Sequence, residues 1–136
     1  MERGSVWPRV GIILIVTVAA LATGILVSTG QALLRQGAVA AAMTGGDPTR
    51  APALFRRYGC GGCHTIPGIA GADGKVGGRL DGLSQQVYIA GVVPNSADAL
   101  IAWIVTPQRF SPHSAMPATG VSEDEARDLA AYLYAH

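Results

Sequence analysis

The chain has 136 residues, 49% of them hydrophobic and only 14% charged, with a formal net charge of +1. That balance is too apolar for an ordinary small soluble domain and carries no basic footprint for nucleic acid, so part of the chain belongs in a membrane.

That part comes first. From Val10 to Ser28 the run VGIILIVTVAALATGILVS holds no charged residue. At 1.5 Å per residue it covers roughly 28 Å, about one hydrocarbon thickness. Arg3 and Arg9 precede it and Trp7 is placed for the interfacial belt, which predicts a cytoplasmic N-terminus. A cleaved signal peptide is the rival reading. Its apolar core would span only about 7–15 residues with a small-residue cleavage site close behind. Here the run is longer, and Ala38-Val39-Ala40 lies well beyond its end. A retained transmembrane anchor over residues 1–29 is therefore the expectation. Within it Ala20, Gly24 and Ser28 recur at four-residue spacing, a stripe that lets another helix approach, although small residues are common in membrane helices in any case.

Residues 30–46 dissolve into Gly, Ala and Thr and predict a linker, with a frayed helical start through Leu33 and Leu34. If flexible, about twenty such residues would let the head domain range on the order of 25 Å. Residues 47–136 form that head, which has little apolar material of its own. Asp47-Pro48 or Thr49 can start a first helix through Leu54, Phe55 and Tyr58, ending at Gly59. Ser96, with Asp98 in the first turn, starts a second over Ala97–Val105, which Pro107 ends. Ser122 with Glu125 three residues on is a capping box and opens a third helix through Ala126, Leu129, Ala130 and Leu133. Gly68 to Gly82 reads as a loop, and no stretch alternates cleanly enough to require a sheet. The fold class is all-α.

Between the first head helix and the Gly-rich loop stands Cys60-Gly61-Gly62-Cys63-His64. Two cysteines three apart followed at once by histidine is the attachment signal for a c-type haem. The thiols add to the haem vinyl groups as thioethers, and the imidazole then lies where it can bind iron from the proximal face. A redox-active thiol pair would want a strand before the motif and a helix starting within it, the reverse of the order here. A structural zinc site needs two further close ligands, yet there are no other cysteines and His113 and His136 lie far along the chain. A disulfide across the two glycines would leave His64 unexplained. A haem would also supply much of the core that the head lacks.

The order of helix, Cys60-Gly61-Gly62-Cys63-His64, Gly-rich loop, middle helix, Met116-Pro117 and C-terminal helix resembles a class I c-type cytochrome over the whole head. The run from Tyr88 to Ser96, then Leu100, Trp103, Pro107-Gln108 and Ala115-Met116-Pro117, is similar to the cytochrome c domains attached to haem-copper terminal oxidases. The resemblance implies one covalent haem c on Cys60 and Cys63, with His64 as proximal and Met116 as distal iron ligand. It also implies attachment after export, hence a single-pass protein of a bacterial inner membrane with its haem domain on the periplasmic side.

A thioether ligand favours ferrous iron and raises the potential, which suits a carrier near the high-potential end of a respiratory chain. Methionine also fills gaps in ordinary cores. His113, three residues from Met116, is the rival ligand, and bis-histidine ligation would lower the potential. Gly77-Gly78 stands where these cytochromes usually carry Gly-Pro, whose proline carbonyl accepts the proximal histidine's Nδ1 hydrogen. The Gly78 carbonyl can serve, without proline's rigidity. Phe55 and Tyr132 resemble the aromatic contact between first and last helices, with Ala51 where the family often has glycine. Trp103, Tyr88 and Arg79 are candidate donors to haem propionates, though core and surface roles are open to each.

From Asp47 onward seven basic residues stand against eight acidic ones, a net charge of −1 before the propionates. Such a head lacks the lysine ring that steers a diffusing carrier onto an acidic oxidase. A tethered carrier does not need one, because its effective concentration at a neighbouring site is already high. The expectation is a membrane-anchored carrier of single electrons, a subunit of or donor to a haem-copper oxidase. It is not a catalyst alone, since six-coordinate iron leaves no position for substrate. A tethered shuttle, or a cytochrome subunit of a quinol-oxidising complex, reaction centre or dehydrogenase, fits the same residues. From other classes, a haem-based sensor would need a labile sixth position, and a thiol oxidoreductase would need free Cys60 and Cys63.

Overall fold

A computed structural model describes residues 7–136, with side chains described from Val10 onward. The sequence readings at Arg3, and at the side chains of Trp7 and Arg9, lie outside the described residues. The chain divides into two compact units, Met1–Arg35 and Gln36–His136.

The first helix, α1, runs over Trp7–Thr44, 38 residues. At 1.5 Å per residue that is about 57 Å, nearly twice the hydrocarbon thickness of a bilayer. Its segment Val10–Thr44 is long and apolar enough to cross a membrane. Residues 12–36 are exposed on every side, as expected of a helix whose apolar surface is meant for lipid. The hydroxyls of Thr17, Thr23, Ser28 and Thr29 donate to carbonyls three or four residues earlier, at 2.9–3.0 Å, bonds that satisfy a hydroxyl without the help of water. The stretch expected as a loose tether after Gly30 is helical as far as Thr44. Its alanines are the strongest helix formers, and no proline interrupts before Pro48. The last turns also gain tertiary contacts, since Ala40 and Thr44 are buried at 2% and 1% exposure.

In the second unit three further helices occur, α2 (Ala51–Arg57), α3 (Ala97–Val105) and α4 (Glu123–Ala135). Single 3₁₀ turns occupy Cys60–Gly62, Leu83–Gln85 and Pro107–Arg109. Both caps read from the sequence are formed. Ser96 Oγ accepts from the Ala99 amide at 3.2 Å, and Ser122 and Glu125 exchange side-chain and backbone bonds as a full capping box. One feature departs from the all-helical expectation. Strands β1 (Tyr88–Ile89) and β2 (Val93–Pro94) pair antiparallel, with Tyr88 opposite Pro94 and Ile89 opposite Val93. Strands of two residues are too short for alternation to register in a sequence. Their reversal needs positive φ at Ala90 (50°) and Gly91 (69°).

Helix α4 is the centre of the head and packs on both α2 and α3. Ala126 and Ala130 on α4 and Ala51 on α2 are fully buried, so small side chains permit the close crossing. Phe55 meets Tyr132 edge to face at 5.4 Å between centroids and 74° between planes. The Tyr132 hydroxyl donates to the Pro67 carbonyl at 2.7 Å. Asp128, 3% exposed, accepts the Asp47 amide at 2.7 Å, and its second oxygen lies 3.2 Å from Arg50 Nη1. This ties the chain entering α2 to the middle of α4.

Candidate functional site

Helices α2, α3 and α4 and the loops between them enclose a cavity of about 500 Å³, within the range of cofactor sites. Its lining is mainly apolar, including Phe55, Leu80, Leu83, Ile89, Leu100 and Trp103. Cys60, Cys63, His64 and Met116 share that lining.

The Cys60 to His64 stretch is shaped by backbone geometry. Helix α2 stops at Tyr58, and Gly59 takes the left-handed conformation (φ 70°) that turns the chain. The 3₁₀ turn comes next, with Cys63 and His64 amides both donating to the Cys60 carbonyl at 3.2 and 2.9 Å. This brings both thiols and the imidazole onto one cavity. The Gly-rich loop then folds back over the turn. Gly74 N–H reaches the Gly61 carbonyl at 3.1 Å and Gly77 N–H the Cys63 carbonyl at 2.8 Å.

His64 is oriented by that returning loop. Its Nδ1–H donates to the Gly78 carbonyl at 2.7 Å. A carbonyl only accepts, so the neutral ring carries its proton on Nδ1 and presents a lone pair on Nε2. Among the described residues Nε2 has no hydrogen-bond partner. Gly77 lies so close that a Cβ there would stand 2.7 Å from His64 Nδ1. The Gly78 carbonyl thus does what the Gly-Pro carbonyl does in the pattern the sequence resembled.

Burial pushes the Cys60 thiol up from its ordinary value, against the lowered pKa that thiol exchange requires. Two soft sulfur groups suited to vinyl addition, an imidazole aimed by a backbone carbonyl, a thioether and an apolar wall make a donor set and cavity that fit a covalent haem.

Of the other residues marked in the sequence, Trp103 and Arg79 line the cavity. Arg79 also forms a bidentate pair with Asp81, at 2.9 and 3.3 Å. Tyr88 is 53% exposed, and neither it nor the exposed His113 lines the cavity. Sequence reasoning missed Tyr58 as a lining residue. Its hydroxyl donates to Glu125 Oε2 at 2.8 Å. Bonds from the Ser122 hydroxyl first, then from Tyr58 and the Ser122 amide, hold the Glu125 carboxyl at about 2. The capping box marked Glu125, but nothing local linked it to a residue 67 positions away.

This fold and site define a class I c-type cytochrome, an electron carrier with one covalently attached haem c. The pattern of the family "Cytochrome c" matches residues 48–135, and the chain belongs to that family. It is also similar to cytochrome c oxidase subunit 2 of Alkalihalophilus pseudofirmus, with 33% identity over 81 residues. The match takes in 59% of this chain and 23% of that protein. No solved structure matches the chain.

Proposed function

We propose that the chain is a membrane-anchored monohaem cytochrome c that passes single electrons in a respiratory chain, as a subunit of or donor to a haem-copper oxidase. The observation that carries this reading is the union, in one chain, of an apolar membrane-length helix with a cytochrome head similar to part of an oxidase subunit 2. Residues 1–29 serve as the anchor and residues 47–136 as the haem domain, with the N-terminus cytoplasmic and the head on the outer side of a bacterial inner membrane.

Bound haem c supplies a one-electron ferric/ferrous couple. Cys60 and Cys63 would hold it by thioether bonds, and His64 Nε2 and the Met116 sulfur would ligate its iron. The Gly78 carbonyl orients His64 and raises its basicity. The apolar wall keeps water from the couple, and the thioether favours its reduced form. With His64 and Met116 both ligating the iron, the chain would carry electrons and would not itself transform a substrate.

Gentle detergent extraction of the native membrane tests the assignment. The haem-staining band is expected to co-migrate with a haem-copper oxidase, and reducing that band is expected to start oxygen consumption. A haem band that always migrates alone and fails to reduce the oxidase would sink it. For the ligands, Met116→Ala is expected to abolish the sulfur-to-iron charge-transfer band of the ferric protein, whereas His113→Ala leaves it in place.

A further inference from the structure

Met116 belongs to a stretch with little structure of its own. Residues 112–121 lie in no helix or strand, and most of them are exposed. Ser114 N–H donates to the Ser111 carbonyl, just before the stretch, at 2.9 Å, and Met116 N–H to Ser114 Oγ at 3.3 Å. Both bonds act on its first residues and leave the Met116 carbonyl to a partner from elsewhere. Among the described residues one hydrogen bond ties residues 115–121 to anything outside the stretch, from Gln108 Nε2 to the Met116 carbonyl at 2.7 Å.

Gln108 is itself mounted on a firm base. Pro107 before it is fully buried, with its φ fixed by the ring. The Phe110 and Ser111 amides both donate to the Pro107 carbonyl, at 3.1 and 3.0 Å. Phe110 also lies beside the buried Trp103, 6.1 Å between ring centroids. The 3₁₀ turn carrying Gln108 is therefore held by the core, and its half-buried side chain reaches out to the one residue of the stretch whose sulfur the cavity needs.

We propose that Gln108 is a positioning residue for the distal ligand. Its amide pins the Met116 backbone and thereby sets how firmly the thioether competes for its coordination position. The inference rests on the reading of Met116 as distal ligand, and extends it to a residue that touches neither haem nor iron. A hydrogen bond of this kind is worth about 1 kcal/mol net, or about fivefold in a competition equilibrium.

The test uses the full-length, haem-loaded protein in detergent with imidazole as the competing ligand. Gln108→Ala and the isosteric Gln108→Glu, which cannot donate when ionised, are each expected to bind imidazole about fivefold more tightly in the ferric state than the unaltered chain. Both are expected to lower the reduction potential while keeping the charge-transfer band in the absence of imidazole. Should Gln108→Ala fail to fold, Gln108→Glu, of nearly the same shape, decides. Unchanged imidazole affinity and potential in the variants, with only a lower Tm, would overturn the positioning role while Met116→Ala still removed the band. Absence of the band in the unaltered chain would overturn the ligation reading, and the proposal with it.

Discussion

The two sides of the haem cavity are built on different principles. Around His64 the chain is held by closely spaced backbone bonds, from Cys60 to Cys63 and His64, from Gly61 to Gly74 and from Cys63 to Gly77. The imidazole itself is held by a backbone carbonyl. Around Met116 two side-chain bonds take that part, from the Gln108 amide to the Met116 carbonyl and from the Met116 amide to Ser114 Oγ. On the His64 side several backbone bonds support one another, whereas each side-chain bond at Met116 can open by itself, so the Met116 side is the one expected to open first under stress.

The largest effect that would test this contrast is loss of the haem itself. Cys60→Ser with Cys63→Ser is expected to abolish haem staining on a denaturing gel, because no thioether bond can then survive unfolding. Staining that persisted would place the attachment elsewhere.

Next comes Gly77→Ala, whose added Cβ would crowd His64 Nδ1. Overpacking of this kind is expected to cost about 1–3 kcal/mol, seen as a lower Tm in the haem-loaded protein. An unchanged Tm would show that the proximal wall yields more readily than its bonds suggest.

A smaller effect of opposite sign is expected from Gly78→Pro. The Gly78 N–H makes no hydrogen bond among the described residues, and a Cβ there meets nothing within 4 Å. Proline would keep the carbonyl that His64 uses and restrict the unfolded chain, a gain of about 0.4–1 kcal/mol in thermal or denaturant unfolding. A loss instead would mean that the loop needs glycine's freedom at this position.

The smallest effect concerns Glu125, away from both His64 and Met116. Its carboxyl is held at about 2, below its ordinary 4.5, by Ser122 first and Tyr58 second. A depressed folded-state pKa gives stability that is complete above the unfolded value and is lost as pH falls through the folded one. Glu125→Gln is therefore expected to flatten the Tm profile between pH 4.5 and about 2 relative to the unaltered chain, with little change in its slope near neutrality. Parallel acid profiles for the two proteins would remove Glu125 from this role.

Legibility in the sequence divides along the same line. Ser96 and Ser122 mark their helices because a cap acts within three residues of itself. Cys60 to His64 announces its chemistry because vinyl addition and axial ligation dictate a spacing within five consecutive residues. Two features were hidden for related reasons. The ribbon at Tyr88 to Pro94 is too short to show a period. The helical run from Gly30 to Thr44 contains glycines that argue for a break, and burial of Ala40 and Thr44 helps override them. The proximal carbonyl was legible in position, but its 2.7 Å bond to His64 depends on how the Gly-rich loop returns across the Cys60 turn.

By itself, then, the sequence determined the apolar helix, the haem attachment signal and the caps of the two longest head helices, because each is written in contiguous residues and needs no partner from elsewhere in the chain. Only tertiary structure decided which carbonyl aims His64, that Tyr58 rather than Tyr88 lines the cavity, and that Gln108 holds Met116. Those assignments join residues from 8 to 67 positions apart, and no local pattern encodes contacts that exist only after the helices have packed.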